Sequence, residues 1–213
     1  MRPLSLAQAA QMAGGTCRGT GCIKNVTNDS RLVTEGILFV ALQGENVDGH
    51  QFVPDVLERG GYAMVRRSMI DRAGVIEVDD PLQGLQNLAR AYLQHFKLPV
   101  VAVTGSNGKT TTKDMVSRVL QERFAVHSSE KNYNNELGVP LTVLGLDEIH
   151  QALVVEMGMR GLGQIRELTE ICPPDMAVIT NVGPVHLEIL ETMENIARAK
   201  AEVIEALPAG GLA

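Results

Sequence analysis

Residues 100–115 read VVAVTGSNGKTTTKDM, and this stretch decides the fold of the second half of the chain. An apolar run leads into a loop between two glycines, which is followed by a lysine, three threonines and a helical pattern. A strand, a glycine loop and a helix in this order gather backbone N–H groups and the positive end of a helix dipole around an anion. The stretch therefore predicts a phosphate-binding loop.

The loop is a short G-x-x-G-K-T variant, because Val103 stands where G-x-x-x-x-G-K-[ST] would have its first glycine. Lys109 would bring positive charge to the phosphates, and the hydroxyl of Thr110 could reach Mg2+. The alternative is an ordinary glycine turn with an exposed lysine. The strand before the loop and the helix after it favour the binding of ATP or GTP.

The composition is typical of a soluble globular protein. Of 213 residues, 45% are hydrophobic and 21% are charged, and no apolar window is long enough to span a membrane. The net charge of -6 argues against a broad nucleic-acid surface but not against a local anion site. We expect a cytoplasmic protein, since the three cysteines follow no disulfide, metal or redox spacing: Cys17, Cys22 and Cys172.

The first 80 residues alternate short helical and strand patterns, which indicates a small α/β domain. The predicted helices cover residues 4–15 and 49–61, and the predicted strands cover 36–42, 62–66 and 74–78. A further helix over 81–97 has Asp80 as its N-cap and Pro81 in its first turn. We expect this helix to link residues 1–80 to a second domain, 98–213.

Three nearly continuous apolar runs in the second domain predict a buried parallel sheet, over residues 99–103, 152–156 and 176–180. The fold class is therefore α/β: a small N-terminal domain, then a central domain with a phosphate loop and a parallel sheet. The final stretch, LPAGGLA, places a glycine turn before what resembles the start of another strand. We expect the central domain to be incomplete and the chain to be part of a longer protein.

Parallel strands direct their carboxyl ends to one edge of a sheet, where ligands bind. Glu156 ends the second predicted strand, and the third runs through Asn181 to His186. Together with Thr110 and phosphate oxygens, these side chains could hold a divalent ion. Taken singly, Glu156 could be a solvated carboxylate and His186 a loop or core histidine.

Lys200 lies within the apolar stripe of a helix over residues 192–207, opposite a charged face that includes Glu202. The commoner explanation is a lysine that reaches solvent from the rim of that stripe. The alternative is an inward lysine with a lowered pKa, whose neutral amine could add CO2 to give a metal-binding carbamate. Helical periodicity alone does not decide between these two alternatives for Lys200.

An asparagine-rich segment, NYNN, follows another strand pattern in the second domain. Its side-chain amides could contact phosphate or substrate, although such clusters are more often turn residues: Asn132, Asn134 and Asn135.

Five segments in this order and spacing resemble the Mur ligase family, the ATP-dependent amide-forming enzymes of peptidoglycan synthesis. They are NDSRLVTEGILFVALQGENVDGHQF, TGSNGKTTTKDM, NYNNELGVPLTVL, VVEMGMRGLGQI and NVGPVHLEILETMENIARAK. Within the family, NYNN resembles the member that adds D-alanyl-D-alanine to UDP-N-acetylmuramoyl-tripeptide. The member that adds the preceding, third residue of the stem peptide is the runner-up.

The resemblance implies a role for each matched residue. The loop would bind ATP through Thr104, Gly105, Ser106, Asn107, Gly108, Lys109, Thr110 and Thr111, with help from Asn132 and Asn135. Thr110 and Glu156 would serve one Mg2+, and His186 and carbamylated Lys200 a second; Lys109, His186 and Lys200 are the predicted catalytic residues. The UDP-sugar would bind residues 1–80 at Ser30, Arg31, Asp48, Gly49 and His50.

The family reaction transfers the γ-phosphate of ATP to the tripeptide carboxylate, and the amine of D-alanyl-D-alanine attacks the acyl phosphate. We expect a monomer without nucleic-acid or membrane partners, and we expect residues 1–213 alone to bind nucleotide weakly without catalysing the reaction. Two rivals remain: a nucleotide-binding module without ligase activity, and a UDP-sugar-binding protein whose second domain is scaffold.

Overall fold

The computed structural model describes residues 1–45, 47–130, 132–185 and 187–213. These residues form two compact units, Met1–His95 and Phe96–Ala213. Both units combine helices with a largely parallel sheet, which confirms the predicted α/β class. Among the described residues, no helix has the length and apolar character needed to cross a bilayer.

The first unit is built on a five-stranded sheet. The strands of the whole unit are β1 (Leu4–Ser5), β2 (Thr16–Arg18), β3 (Cys22–Ile23), β4 (Asn25–Thr27), β5 (Ile37–Val40), β6 (Tyr62–Arg66) and β7 (Val75–Val78). The sheet has the order β2-β7-β6-β5-β4, and only β2 runs antiparallel to its neighbour. β1 and β3 form a separate antiparallel pair, and these short strands were not predicted from the sequence.

Helices of the first unit are α1 (Leu6–Ala13), α2 (Val53–Glu58) and α3 (Pro81–Leu93), with 3-10 turns at Ser30–Leu32 and Gly49–Phe52. The structure differs from the prediction that residues 81–97 form a linker, because α3 packs against α1 within this unit. Leu85, Leu88 and Tyr92 are fully buried there, and the Tyr92 hydroxyl accepts a hydrogen bond from the Arg2 N–H at 2.7 Å. The apolar face of α3 therefore completes the core of the first unit.

The second unit has a four-stranded, fully parallel sheet. Its strands are β8 (Val100–Thr104), β9 (Val126–Ser128), β10 (Ala152–Glu156) and β11 (Met176–Ile179), in the order β11-β8-β10-β9. The helices are α4 (Lys109–Gln121), α5 (Gly138–Leu144), α6 (Gln164–Ile171), α7 (Leu187–Leu190) and α8 (Met193–Glu205). The three predicted strands are present to within one residue at each end.

One face of this sheet packs against α4. Val101, Val103 and Val154 pack with Val116 and Leu120 of α4 on one face. Because strand side chains alternate, Ala102 and Thr104 point to the opposite side of β8 from these valines. Leu212 pairs with the outer edge of β11, where the sequence predicts another strand pattern. The carboxyl ends of β8, β10 and β11 share one edge, which carries the candidate site.

Candidate functional site

The predicted phosphate loop joins β8 to α4. Gly105 has φ +146°, and a Cβ at this position would overlap the side-chain oxygen of Thr180, so the loop requires glycine here. Gly108 has φ +78° and is the N-cap of α4, and no side chain caps this helix. The first N–H groups of a helix lack intrahelical acceptors. The start of α4 therefore presents backbone donors and a positive dipole end, as an anion site requires.

The loop is braced by the segment that follows β11. The Ser106 N–H donates to the Asn181 carbonyl at 3.1 Å, and the Asn107 N–H donates to the Asn181 side chain at 3.0 Å. The Ser106 hydroxyl bridges both backbone groups of Gly183, and the Thr180 hydroxyl donates to the Asn107 carbonyl at 2.6 Å. Two predicted phosphate donors, the N–H groups of Ser106 and Asn107, are thus used to shape the loop, whereas the first turn of α4 has no side-chain cap.

Two polar side chains lie at the loop itself. The Lys109 ammonium donates to the Gly105 carbonyl at 2.9 Å, so its positive charge is held directly over the loop. Thr104 is 1% exposed, and its hydroxyl has no hydrogen-bond partner among the described residues. Leaving a buried hydroxyl unpaired costs roughly 1–3 kcal/mol, so Thr104 is a donor that a bound group would satisfy.

Glu156 joins the loop to the next strand. Its side chain, 4% exposed, accepts the Thr110 hydroxyl at 2.8 Å on one oxygen and the Asn134 amide at 2.8 Å on the other. The Glu156 N–H donates to the Ser129 hydroxyl at 3.1 Å. The structure thus brings together the predicted pair Thr110 and Glu156, and it places a carboxylate and a hydroxyl beside the phosphate loop.

The asparagine segment divides into different roles. Asn134 contacts Glu156, whereas Asn135 uses its side-chain oxygen to accept the Gly138 N–H at 2.9 Å at the start of α5. Asn132 is exposed and has φ +68°, a left-handed conformation that asparagine tolerates. Asn134 is therefore the member of the trio nearest to the predicted chemistry, although the resemblance assigned contacts to Asn132 and Asn135.

Lys200 is buried in α8, with 2% of its surface exposed. Burial, together with the positive charge of Lys109, lowers the pKa of Lys200 from 10.5 to about 8. Among the described residues, none forms a hydrogen bond or salt bridge with its ammonium. Of the two alternatives that the sequence left open, the inward lysine is the one that the structure shows.

His186 lies outside the described residues, so its predicted place beside Lys200 stays a prediction. Over the part of the chain that the structure describes, no three His, Cys, Asp or Glu side chains form a metal-binding group by themselves. The carboxylate of Glu156 would therefore need phosphate oxygens or water to complete the coordination of a cation.

A polar cavity of about 460 Å3 opens beside the loop, between the asparagine segment that precedes α5 and the start of α6. Lys109, Asn134 and Asn135 line one side, and Arg160 and Gln164 line another. The cavity lies next to the Lys109 ammonium and within reach of the Glu156 cluster. A concave site lined by several polar side chains is where a polar ligand could bind.

Two positioning residues near Glu156 were missed in the sequence. The Lys113 ammonium, on a 4% exposed residue, donates to the Ser129 carbonyl at 2.8 Å, and Ser129 in turn accepts the Glu156 N–H. Lys113 follows Lys109 by one helical turn, so helical spacing already placed it on the same face of α4. Nothing in the sequence around Ser129 indicated its contact.

In the first unit, the DGH motif is locked by internal hydrogen bonds. Asp48 accepts the backbone N–H of His50 at 3.0 Å and contacts its Nδ1 at 2.7 Å, and the first of these contacts is the main cause of the lowered pKa of Asp48. The His50 Nε2 accepts the Arg66 N–H at 3.0 Å. A Cβ at Gly49 would meet the backbone of Leu42. His50 has both ring nitrogens engaged, so any role in substrate binding passes through the shape of its loop.

The other predicted substrate segment presents an exposed cation. Arg31 is held by a two-pronged hydrogen bond from its guanidinium to Asp29, which lowers the pKa of Asp29 to about 2. The Arg31 side chain is 86% exposed. The Arg59 guanidinium donates a hydrogen bond to the backbone carbonyl of Ser30 at 3.3 Å. Arg31 is thus pre-oriented and open to solvent, as a phosphate ligand would be.

Comparisons with known families cover both units. Residues 103–213 match the family described as Mur ligase middle domain, and residues 22–93 match the one described as Mur ligase family, catalytic domain.

Characterised relatives and solved structures give the same picture. A Bacillus subtilis protein named UDP-N-acetylmuramoyl-tripeptide--D-alanyl-D-alanine ligase is 44% identical over 194 residues, which cover 89% of this chain and 42% of that protein. A crystal structure of MurF from Acinetobacter baumannii superposes with a TM-score of 0.92 at 33% identity, covering 99% of this chain and 48% of the other. The Thermotoga maritima MurF ligase, solved in complex with ADP, has a TM-score of 0.80 at 37% identity, covering 86% and 43%. The chain therefore spans less than half the length of these relatives.

Proposed function

The chain belongs to the Mur ligase family, and on this basis we propose that the protein is an ATP-dependent ligase that joins D-alanyl-D-alanine to UDP-N-acetylmuramoyl-tripeptide. The observation that carries the proposal is the cluster in which Glu156 accepts both Thr110 and Asn134 beside an uncapped phosphate loop. The loop alone would fit any nucleotide-binding protein. The added carboxylate, the buried Lys200 and the polar cavity fit a phosphoryl transfer to a second substrate.

ATP is the proposed nucleotide. The first turn of α4 offers its N–H groups to the phosphates, and Lys109 offers a positive charge that now rests on the Gly105 carbonyl. Movement of Lys109 from that carbonyl to a phosphate oxygen would exchange a neutral acceptor for a charged one, which makes a stronger hydrogen bond. The Thermotoga maritima relative was solved in complex with ADP, which supports an adenine nucleotide as the ligand.

Mg2+ is the proposed metal, and the donors present fit it. Glu156 provides a buried carboxylate and Thr110 a hydroxyl, and hard oxygen ligands of this kind suit Mg2+ when phosphates complete the set. When bound, the ion would offset negative charge on the phosphate oxygens. Asn134 and Thr110 each donate to one oxygen of the carboxylate, and Ser129 accepts the backbone N–H of Glu156, so Glu156 would be pre-positioned.

Lys200 is proposed to become a carbamate. Its neutral nitrogen would attack the carbon of CO2, forming an N–C bond as one C–O π bond breaks, and a proton would leave to solvent. The pKa of about 8 means that roughly a tenth of the amine is neutral at pH 7, which is far more than for an ordinary lysine. The product is an anion that, with His186, would serve the second metal position.

The chain's own groups then act mainly by positioning and charge. Lys109 and the α4 amides would hold the transferred phosphoryl group, while the cavity beside Arg160 would admit the tripeptide carboxylate and then the amine. The carboxylate oxygen would attack the γ-phosphorus as the bond from phosphorus to ADP breaks. The neutral amine nitrogen would then attack the acyl carbon, the C–O bond to phosphate would break, and the nitrogen would lose a proton to solvent. In the first unit, Arg31 and the loop held by His50 are the proposed contacts of the UDP-sugar.

The test is phosphate release from ATP by the complete gene product, with the UDP-linked tripeptide present and D-alanyl-D-alanine added or withheld. We expect release only when both are present. Release that requires a different amino acid in place of the dipeptide would move the assignment to the neighbouring ligase. Release that ignores the peptides would leave a nucleotidase.

A further inference from the structure

Glu202 is a buried carboxylate that the proposed chemistry does not use. It lies on α8 and is 5% exposed, although its position in the sequence predicts the charged outer face. One of its oxygens accepts the Gly163 N–H at 2.7 Å, and the other accepts the Arg166 N–H at 3.0 Å. Both oxygens of Glu202 thus accept hydrogen bonds from the start of a different helix, α6.

The start of α6 has no cap of its own. Gly163, its N-cap residue, has no side chain to offer and adopts φ +85°. An anionic acceptor at a helix N-terminus satisfies unpaired N–H groups and interacts favourably with the helix dipole. Glu202 therefore acts as the N-cap of α6 from another element, which ties the two helices together at a fixed point.

This contact also fixes the rotation of α8 about its axis. Ile196, Ala199, Lys200 and Val203 are buried along one side of α8, and Glu202 flanks that side next to Ala199. A carboxylate held by two backbone groups tolerates little rotation, because turning the helix would break both hydrogen bonds. The apolar residues alone would not decide whether Lys200 points to the centre of the face or to its rim.

The same contact holds one wall of the polar cavity. Gln164, the first residue of α6, accepts the N–H groups of Arg160 and Gly161 at 2.6 and 3.2 Å. The loop that leads from Glu156 to α6 is therefore folded back onto the capped helix end. Arg160 and Gln164 both line the cavity.

We infer that Glu202 is a positioning residue that, by capping α6 from α8, holds Lys200 in its buried orientation and the 157–163 loop in its place at the cavity. The inference rests on the proposed function in one respect only: the proposed carbamate is the reason why the orientation of Lys200 matters. Both oxygens of Glu202 are engaged by backbone N–H groups of Gly163 and Arg166.

The test compares Glu202→Gln with Glu205→Gln. Glu205 is the matched control, since it lies one turn further along α8 and pairs with the exposed Arg166 guanidinium at 3.0 Å without capping the helix. A glutamine at 202 keeps one acceptor but turns an NH2 group toward the other N–H, so one half of the cap is lost. Hydrogen exchange of the amides in 163–166 is expected to be roughly 5- to 30-fold faster in Glu202→Gln and unchanged in Glu205→Gln.

A second readout follows Lys200 directly. Competitive acetylation in CO2-free buffer, read by mass spectrometry, is expected to modify Lys200 several-fold faster in Glu202→Gln than in the wild type. Lys113 is the internal reference, because it is buried in the same unit but held by Ser129. A general loss of stability would speed both lysines equally.

Equal acetylation of Lys200 in wild type and Glu202→Gln, or equal acceleration of Lys200 and Lys113, would overturn the inference. So would unchanged exchange at 163–166. These readouts need neither ATP nor peptide substrates. A failed phosphate-release assay would therefore leave their result standing, and their failure would leave the proposed reaction untouched.

Discussion

Replacing Lys200 by methionine should stabilise the second unit. The lysine is buried without a partner among the described residues, and its pKa falls from 10.5 to about 8 because burial disfavours the cation. Each factor of ten in proton affinity is worth about 1.4 kcal/mol, so holding the charged lysine in this site costs about 3 kcal/mol at pH 7. Methionine has a similar length and no charge, so it removes that cost.

The free energy of unfolding should depend on pH in a direction set by the lowered pKa of Lys200. A lowered lysine pKa means that the unfolded chain binds more protons between pH 8 and 10.5, so stability rises with pH across that window. The advantage of Lys200→Met should therefore be about 3 kcal/mol at pH 7 and about 2 kcal/mol smaller at pH 9.5. The free energy of unfolding would be measured by urea titration in CO2-free buffer. Hydrogen exchange of peptides from β8 and β10 would detect the unfolding, so that the measurement reports on the second unit alone.

Lys113→Met is the matched control, because Lys113 is equally buried but donates to the Ser129 carbonyl at 2.8 Å. Losing the hydrogen bond to Ser129 in Lys113→Met should destabilise the second unit by roughly 1.5–3 kcal/mol, the range for a hydrogen bond from a charged group. Opposite signs for the two variants would support the reasoning. A Lys200→Met variant that is no more stable than the wild type at pH 7 would show that Lys200 is solvated or paired, and the argument for a costly functional lysine would fail.

Three further outcomes follow from the site and the first unit. Gly105→Ala should lower the free energy of unfolding by roughly 1–3 kcal/mol, because the new Cβ would meet Thr180 and φ is +146°. Thermal unfolding would detect the change, and an unchanged melting temperature would mean that the loop adapts to the alanine. Glu156→Gln should weaken Mg2+-dependent nucleotide binding at least about tenfold while leaving metal-free binding nearly unchanged, as titration calorimetry would show; equal weakening of both would deny Glu156 a metal role. His50→Ala should destabilise the first unit by roughly 2–3 kcal/mol through two lost hydrogen bonds, and urea unfolding of the unit without a change in midpoint would contradict that.

Periodicity and turn chemistry predicted the parts of the fold that depend on local sequence. The β8-loop-α4 unit, the buried strands β10 and β11 and the Asp80 cap of α3 are all where the sequence places them, because long apolar runs and caps act over a few residues. The short strands β1 to β4 were missed, since runs of two or three residues carry no period. The role of α3 was misjudged because an amphipathic face does not say which unit it packs on.

In the candidate site, too, some contacts could be predicted from local sequence and others depend on tertiary packing. Thr110 and Glu156 could be paired from the sequence, because parallel strands bring their carboxyl ends together. Glu202 could not be placed, since helical periodicity assigns it to the exposed face and only the position of α6 explains its burial. The choice of Asn134 over its neighbours likewise depends on the tertiary path of a loop.

Oxygen transfer tests most directly the proposed phosphorylation of a carboxylate substrate beside Glu156 and Lys109. The UDP-linked tripeptide would be prepared with 18O in its terminal carboxylate and incubated with ATP, D-alanyl-D-alanine and the complete gene product. Because an acyl phosphate keeps a carboxylate oxygen on phosphorus when the amine displaces it, the released phosphate should contain one 18O. Phosphate without the label would mean that water, not the carboxylate, attacks ATP, and the proposed ligase chemistry would be wrong.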